Sequence, residues 1–222
     1  MKGKVRMRES DNRSILIIDT SYYSGFSVSV LNNSNFTSLS FLGSEPNFTR
    51  IWDLIDIALN SFGVTKEDIG VLAVSRGPGP FSAVRTGITV AKTLREIKKI
   101  NVITFSVFDV LSSEFENSYF FVDGRAKKFI VGDNSGQIKI LRFSELEEFV
   151  NMEKVNNVMK RFVSVGCQGV LKELVSEGSI SRTVYDSFSF YDILPVTWVR
   201  DFVLRKFELG EFDDKLEPIY VS

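Results

Sequence analysis

Two short stretches, Ser14 to Asp19 and Ile69 to Ser75, are apolar at nearly every position and are too short for buried helices. Each reads as a strand covered on both faces, which places it in the middle of a layered α/β sheet. The segments around them define the layers. Gly25 to Leu31 alternates, with Phe26, Val28 and Val30 against serines; Asn32-Asn33-Ser34-Asn35 is a turn, and Phe36 to Leu42 alternates again. The period then changes to three and four over Phe48, Ile51, Trp52, Ile55, Ala58, Leu59 and Phe62, predicting a helix that Gly63 stops. Ile69 to Ser75 runs through Gly77-Pro78-Gly79-Pro80 into a second helix over about Ser82 to Ile97, and Asn101 to Val107 is a fifth strand. Strand-strand-strand-helix-strand-helix-strand implies a mixed sheet, parallel wherever a helix intervenes.

From Asn117 the pattern restarts. Tyr119 to Asp123, Phe129 to Gly132 and Gln137 to Phe143 read as strands, and Ser144 to Met159 and Gln168 to Glu177 as helices around the apolar run Phe162 to Val165. A last helix covers Leu194 to Leu209. The fold class expected is therefore α/β, in two related halves of an actin-like (ASKHA, RNase H-like) plan with a degenerate second lobe. The expected division is a flexible extension over 1–13, a first lobe over 14–107 completed by helix 194–209, a second lobe over 108–193, and a tail from 210 to 222. The 20 phenylalanines are read as core filling.

Composition narrows the chemistry. With no histidine there is no Ser-His-Asp or Cys-His couple, no imidazole base and no His-ligated zinc. Lone Cys167 excludes intrachain disulfides and cysteine-rich metal sites, and reads as buried packing. No metal-binding or catalytic set is expected. The 27 basic and 28 acidic residues nearly cancel, against strong stand-alone binding of nucleic acid. Lys2, Lys4, Arg6, Arg8 and Arg13 mimic the basic start of a signal peptide, but Ile15 to Ile18 is too short for its apolar core. A cytoplasmic chain with no membrane partner is expected.

Asp19 and Asp123 each end a strand before a turn, where an actin-like enzyme could hold a metal–phosphate in the cleft between its lobes; capping the next turn is the simpler role. Gly77 and Gly79 open a strand-to-helix turn of the kind that cradles phosphate, but Pro78 and Pro80 bring no amide hydrogens to it. Ser82 reads as a helix N-cap rather than a nucleophile. Gly87 to Thr93 is one residue short of a Walker loop and lies within a helical pattern. Asp19, Gly77, Gly79 and Asp123 are thus the candidate ligand-binding residues, and no cofactor is expected on this chain alone.

The ordered set Ile18-Asp19-Thr20-Ser21, Gly77-Pro78-Gly79-Pro80-Phe81-Ser82-Ala83-Val84-Arg85, Val122-Asp123-Gly124-Arg125 and Glu217-Pro218-Ile219-Tyr220-Val221 resembles the bacterial TsaB (YeaZ) family. Pro80, Ser82 and Ala83 depart from that family's Ser, Thr and Gly. The resemblance implies a two-lobed actin-like fold without catalytic machinery, a subunit for making threonylcarbamoyladenosine in tRNA. It implies pairing with a TsaD-type transferase and a TsaE-type ATPase, a possible homodimer, and tRNA engaged only through the complex. An actin-like ATPase or small-molecule kinase using Asp19 and Asp123 on Mg-ATP is the alternative. The family is expected to pair through its first two helices, whose apolar arcs are about 160° and 180° wide at 100° per residue, broader than one packing surface requires. Trp52, Ile55, Leu59, Val84, Gly87, Ile88 and Ala91 are accordingly expected at a partner interface, with Ala91→Arg blocking assembly of a folded monomer.

Overall fold

The computed structural model describes residues 14–23, 25–32, 35–42, 50–155 and 160–220. The amino-terminal extension, the turn tip Asn33-Ser34 and the expected helical position Phe48 lie outside the described residues. The first sheet uses β1 (Ser14–Asp19), β2 (Gly25–Asn32), β3 (Asn35–Leu42), β4 (Ile69–Ser75) and β5 (Asn101–Phe105), with α1 (Ile51–Ser61) and α2 (Phe81–Lys98) as crossovers. Its order is β3-β2-β1-β4-β5. β1–β2 and β2–β3 pair antiparallel, β1–β4 and β4–β5 parallel. β1 and β4 are buried at every residue, as their apolar runs require. One core joins Leu16, Phe26, Val28, Leu72 and Val74 to Ile51, Ile55, Leu59, Val84, Ile88 and Ala91 of the two helices.

The chain continues as α3 (Val107–Glu114), β6 (Ser118–Arg125), β7 (Lys128–Asp133), β8 (Ile138–Arg142), α4 (Leu146–Val155), β9 (Arg161–Val165), α5 (Gln168–Ser176), α6 (Arg182–Tyr185), β10 (Phe188–Tyr191) and α7 (Val196–Leu209). The second sheet runs β8-β7-β6-β9-β10, the first sheet's topology repeated. The directions repeat too, antiparallel for β6–β7 and β7–β8, parallel for β6–β9 and β9–β10. The mixed α/β plan expected from the periodicities is the one found. Phenylalanine packs this second core, with Phe121 in ring contact with Phe129, Phe149, Phe162 and Phe188.

Two compact units result, one holding the described residues up to Val107 with Pro195–Ile219, the other Phe108–Leu194. In the first unit the chain after α7 is stitched to β5: Asp213 donates its backbone N–H to the Val102 carbonyl at 2.7 Å and accepts the Thr104 N–H at 2.7 Å. Leu216 then enters the core and the Ile219 N–H donates to the Arg76 carbonyl at 2.9 Å. The free edge of β5 is covered in this way, the usual protection for an edge strand. One expected boundary fails: the strand read to Val107 ends at Phe105, because Val107 begins α3 and buries with Val110 and Leu111 on one helical stripe.

Candidate functional site

β1 delivers Asp19 to the end of the first sheet with 1% exposure. Both carboxylate oxygens are engaged locally. The Ser21 N–H donates to Oδ1 at 3.1 Å and the Tyr22 hydroxyl donates to Oδ2. Ser21 and Ser75, at the ends of β1 and β4, share a hydroxyl–hydroxyl hydrogen bond, and the Gly77 N–H donates to Ser75 Oγ at 3.2 Å. The turn's amide supply is therefore smaller than its two glycines suggest: Pro78 and Pro80 have none and Gly77 has spent its own.

The same turn is pressed onto the strand end. A Cβ on Gly79 would lie 2.3 Å from the Ser21 carbonyl oxygen, and one on Gly87, a turn and a half into α2, 2.5 Å from Thr20 Oγ1. The first contact is with backbone and needs a shift of the chain; the second is with the buried Thr20 side chain, which would have to move. Thr20 Oγ1 is buried there with no hydrogen-bond partner among the described residues. The N-cap of α2 is Pro80, not Ser82, which stands exposed in the first turn with its carbonyl accepting Thr86 Oγ1 at 2.9 Å. Proline holds φ near its helical value without needing a side-chain cap, which displaces the serine from the expected role.

Burial pushes the Asp19 carboxyl above the ordinary aspartate value, against hydrogen bonds from Tyr22, Ser21 and Ser75 that pull it down. A carboxyl whose folded-state pKa is raised costs nothing below the unfolded pKa and weakens folding as pH climbs through the raised one. Asp19→Asn removes that titration. Its stability relative to the parent chain is expected to rise between about pH 4 and pH 7 in urea melts. A difference that falls over this range means the charged form is held in the fold, as a bound cation would hold it.

Asp123, 5% exposed, belongs to the other unit, at a bulge in β6. Its Oδ1 accepts the Arg125 N–H at 2.7 Å, and Oδ2 lies 3.8 Å from Arg125 Nε. Cys167 is fully buried, its Sγ 3.4 Å from the Val165 carbonyl; burial, with the Asp123 charge second, drives its pKa far upward. The thiol is thus packing, not a nucleophile.

The helix residues expected at a partner interface are for the most part buried. Ile55, Leu59, Val84, Ile88 and Ala91 are 0 to 3% exposed and belong to the lobe's own core; Gly87 is buried against Thr20. Within the single chain these side chains are covered by the lobe's own packing. The wide apolar arcs are used up within one lobe, because each helix packs both on the sheet and into the cluster it shares with its neighbour. Trp52 alone of the seven is exposed, at 40%. It borders a groove of about 480 Å³ lined by Ile51, Trp52, Arg85, Thr86, Thr89, Val90 and Thr93. Beside it Phe81 is 58% exposed, with the Arg85 guanidinium 4.9 Å from its ring centre. The three threonines sit at i, i+3 and i+7 and broke the apolar pattern, so a reading based on hydrophobicity passed over them.

Two copies of one five-stranded mixed sheet, each with a buried aspartate near the end of its first strand, define an α/β protein of the two-lobed actin-like class. A family model described as TsaD, tRNA N6-adenosine threonylcarbamoyltransferase, matches residues 47–192. The chain belongs to that family, in its TsaB (YeaZ) branch. It is 26% identical over 180 residues to the tRNA threonylcarbamoyladenosine biosynthesis protein TsaB of Buchnera aphidicola subsp. Acyrthosiphon pisum, covering 76% of this chain and 81% of the relative. With TsaB of Haemophilus influenzae it shares 33% identity over 95 residues, 43% of this chain and 40% of the relative. In fold it matches YeaZ from Pseudomonas aeruginosa with a TM-score of 0.70 at 17% identity, over 94% of this chain and all of that one. A crystal structure titled as an uncharacterized protein with similarity to peptidase YEAZ, from the same organism, matches with a TM-score of 0.74 at 18% identity, over 95% and 100% of the two chains.

Proposed function

We propose that this chain is a non-catalytic partner subunit in the synthesis of threonylcarbamoyladenosine in tRNA, stabilising and activating a TsaD-type transferase. The packing of the first strand end carries the reading. Gly79 lies on Ser21 and Gly87 on Thr20 where an actin-like enzyme would seat a nucleotide phosphate, and Asp19 spends both oxygens on neighbours in the chain. A platform has no need of that space. The groove with Trp52, Arg85, Thr86, Thr89 and Thr93 is the face offered to the transferase, or to a second copy of the chain, and a TsaE-type ATPase completes the assembly. No helix among the described residues is long and apolar enough to cross a membrane, in keeping with work in the cytoplasm, where tRNA is met through the complex.

Affinity purification of the tagged chain from its own cells tests the role. The transferase is expected to co-purify, and its threonylcarbamoyl transfer to fall when this chain is depleted. ATP hydrolysis by the pure chain, abolished by Asp19→Ala, overturns the proposal in favour of an actin-like ATPase.

A further inference from the structure

The hairpin joining β6 to β7 reverses through Arg125, Ala126 and Lys127, with φ of 59, 49 and 59°. A two-residue turn of this hand normally places Asn-Gly at its centre. Here the tip carries cations. The strand register sets Arg125 opposite Lys128, and Lys128 opposite Arg142 of β8. Lys128 and Arg142, directly opposite across β7 and β8, point to one face at the roughly 5 Å strand spacing, while Arg125 sits at the bulge and turns toward Asp123, so the cations cluster at one end of the hairpin. The Phe143 N–H donates to the Lys127 carbonyl at 3.0 Å, tying the tip of the hairpin to the end of β8. All four cationic residues are exposed.

Like charges directly opposite one another weaken a sheet unless something answers them. Asp123 lies 3.8 Å from Arg125, and Glu145 lies 3.6 Å from Arg142. Among the described residues no carboxylate pairs with Lys127 or Lys128. The whole chain carries a net charge of −1, so the positive field here is a local concentration.

We infer that Arg125, Lys127, Lys128 and Arg142 form a docking surface for the phosphate backbone of RNA. The inference rests on the tRNA-modification role proposed above. Four cations gathered at one hairpin end and the adjoining strand can meet about three or four phosphates. An acidic protein partner fits less well, because the core of a protein interface is built on large apolar side chains and depleted of charge. The one such exposed side chain on these three strands is Ile138, which pairs with Gly132 at the far end of the hairpin. Three or four phosphate contacts bind weakly and with strong salt dependence. The surface therefore adds to affinity within an assembly and shows itself in the isolated chain only at low salt.

The test titrates a labelled, unmodified tRNA transcript with the full chain, starting near 20 mM salt. The combined variant Lys127→Gln, Lys128→Gln, Arg142→Gln is compared with a matched control, Lys154→Gln, Lys172→Gln, Lys215→Gln, which removes the same charge from exposed positions elsewhere. The hairpin variant is expected to bind at least about tenfold more weakly, with its slope of log affinity against log salt reduced by about 2 to 3; the control stays within about twofold of the parent. Equal losses in both variants, unchanged binding by the hairpin variant, or no binding by the parent at the lowest salt overturns the inference. So does a hairpin variant that keeps tRNA but loses its transferase, which makes the surface an acidic-protein site. Co-purification of the transferase, measured in parallel, separates the two claims. A transferase that co-purifies while the hairpin variant binds tRNA normally sinks only this inference. If no transferase co-purifies but the expected loss is seen, the RNA surface stands and the subunit role fails.

Discussion

Replacing Ala91 with arginine is expected to unfold the first lobe instead of releasing a folded monomer from its partner. Ala91 is 0% exposed within the cluster formed by β1, β2, β4, α1 and α2. A guanidinium there has neither room nor counter-ion. Overpacking costs about 1 to 3 kcal/mol and an unpaired buried charge about 3 to 5, against a total stability of about 5 to 15. Thr89→Arg, on the exposed face of the same helix and lining the groove, tests the interface without that penalty. Its melting curve should match the parent within about 0.5 kcal/mol, as exposed substitutions usually do. Its affinity for the transferase should fall by about 100-fold if the groove is the docking face. Circular dichroism melts with size-exclusion chromatography read both effects. An Ala91→Arg chain that melts like the parent contradicts the packing of α2, and a Thr89→Arg chain that assembles normally contradicts the docking face.

The contrast between these neighbours shows what a linear pattern reveals and what it hides. β1 and β4 were legible to the residue, because an apolar run ending in a polar residue has both its length and its covering fixed. The repeat of the sheet was legible as an order of periods, although the halves share little sequence. Hydrophobic arcs on α1 and α2 gave the right residues for burial but not what they bury against, since an arc has no information about how many surfaces a helix meets. α3 was missed because eight residues supply barely two turns of period, directly after a strand with the same β-branched composition. β10, four residues long, and α6, also four, are fixed by neighbours distant in sequence, not by any local signal. At the site, Asp19 and the Gly-Pro-Gly-Pro turn were visible as motifs, whereas the Tyr22 hydroxyl on the carboxylate and the Ser21–Ser75 link needed coordinates. The cationic cluster was split in the sequence between positions 125–128 and 142, so only a doublet could be seen.

Gly79→Ala is the substitution that tests how firmly the strand end is filled. One methyl group is added, yet its carbon would stand 2.3, 2.7 and 2.9 Å from the oxygen, carbonyl carbon and Cα of Ser21. All three are backbone atoms, so no rotamer change relieves the contact. Either the chain at Ser21 or the turn must move, and Ser21 is held by its N–H on Asp19 and its hydroxyl on Ser75, while the turn is held by the Gly77 N–H on Ser75 and by the first turn of α2. The expected loss is about 3 kcal/mol in urea unfolding, the upper part of the range for overpacking. Gly169→Ala gives the opposite sign and serves as the control. It lies in α5 with nothing within 4 Å of an added Cβ, and alanine there is expected to gain up to about 1 kcal/mol from helix propensity. A Gly79→Ala chain as stable as the parent means that the turn has slack over Ser21. A nucleotide phosphate then has space beneath it, and the platform reading loses the packing on which it stands.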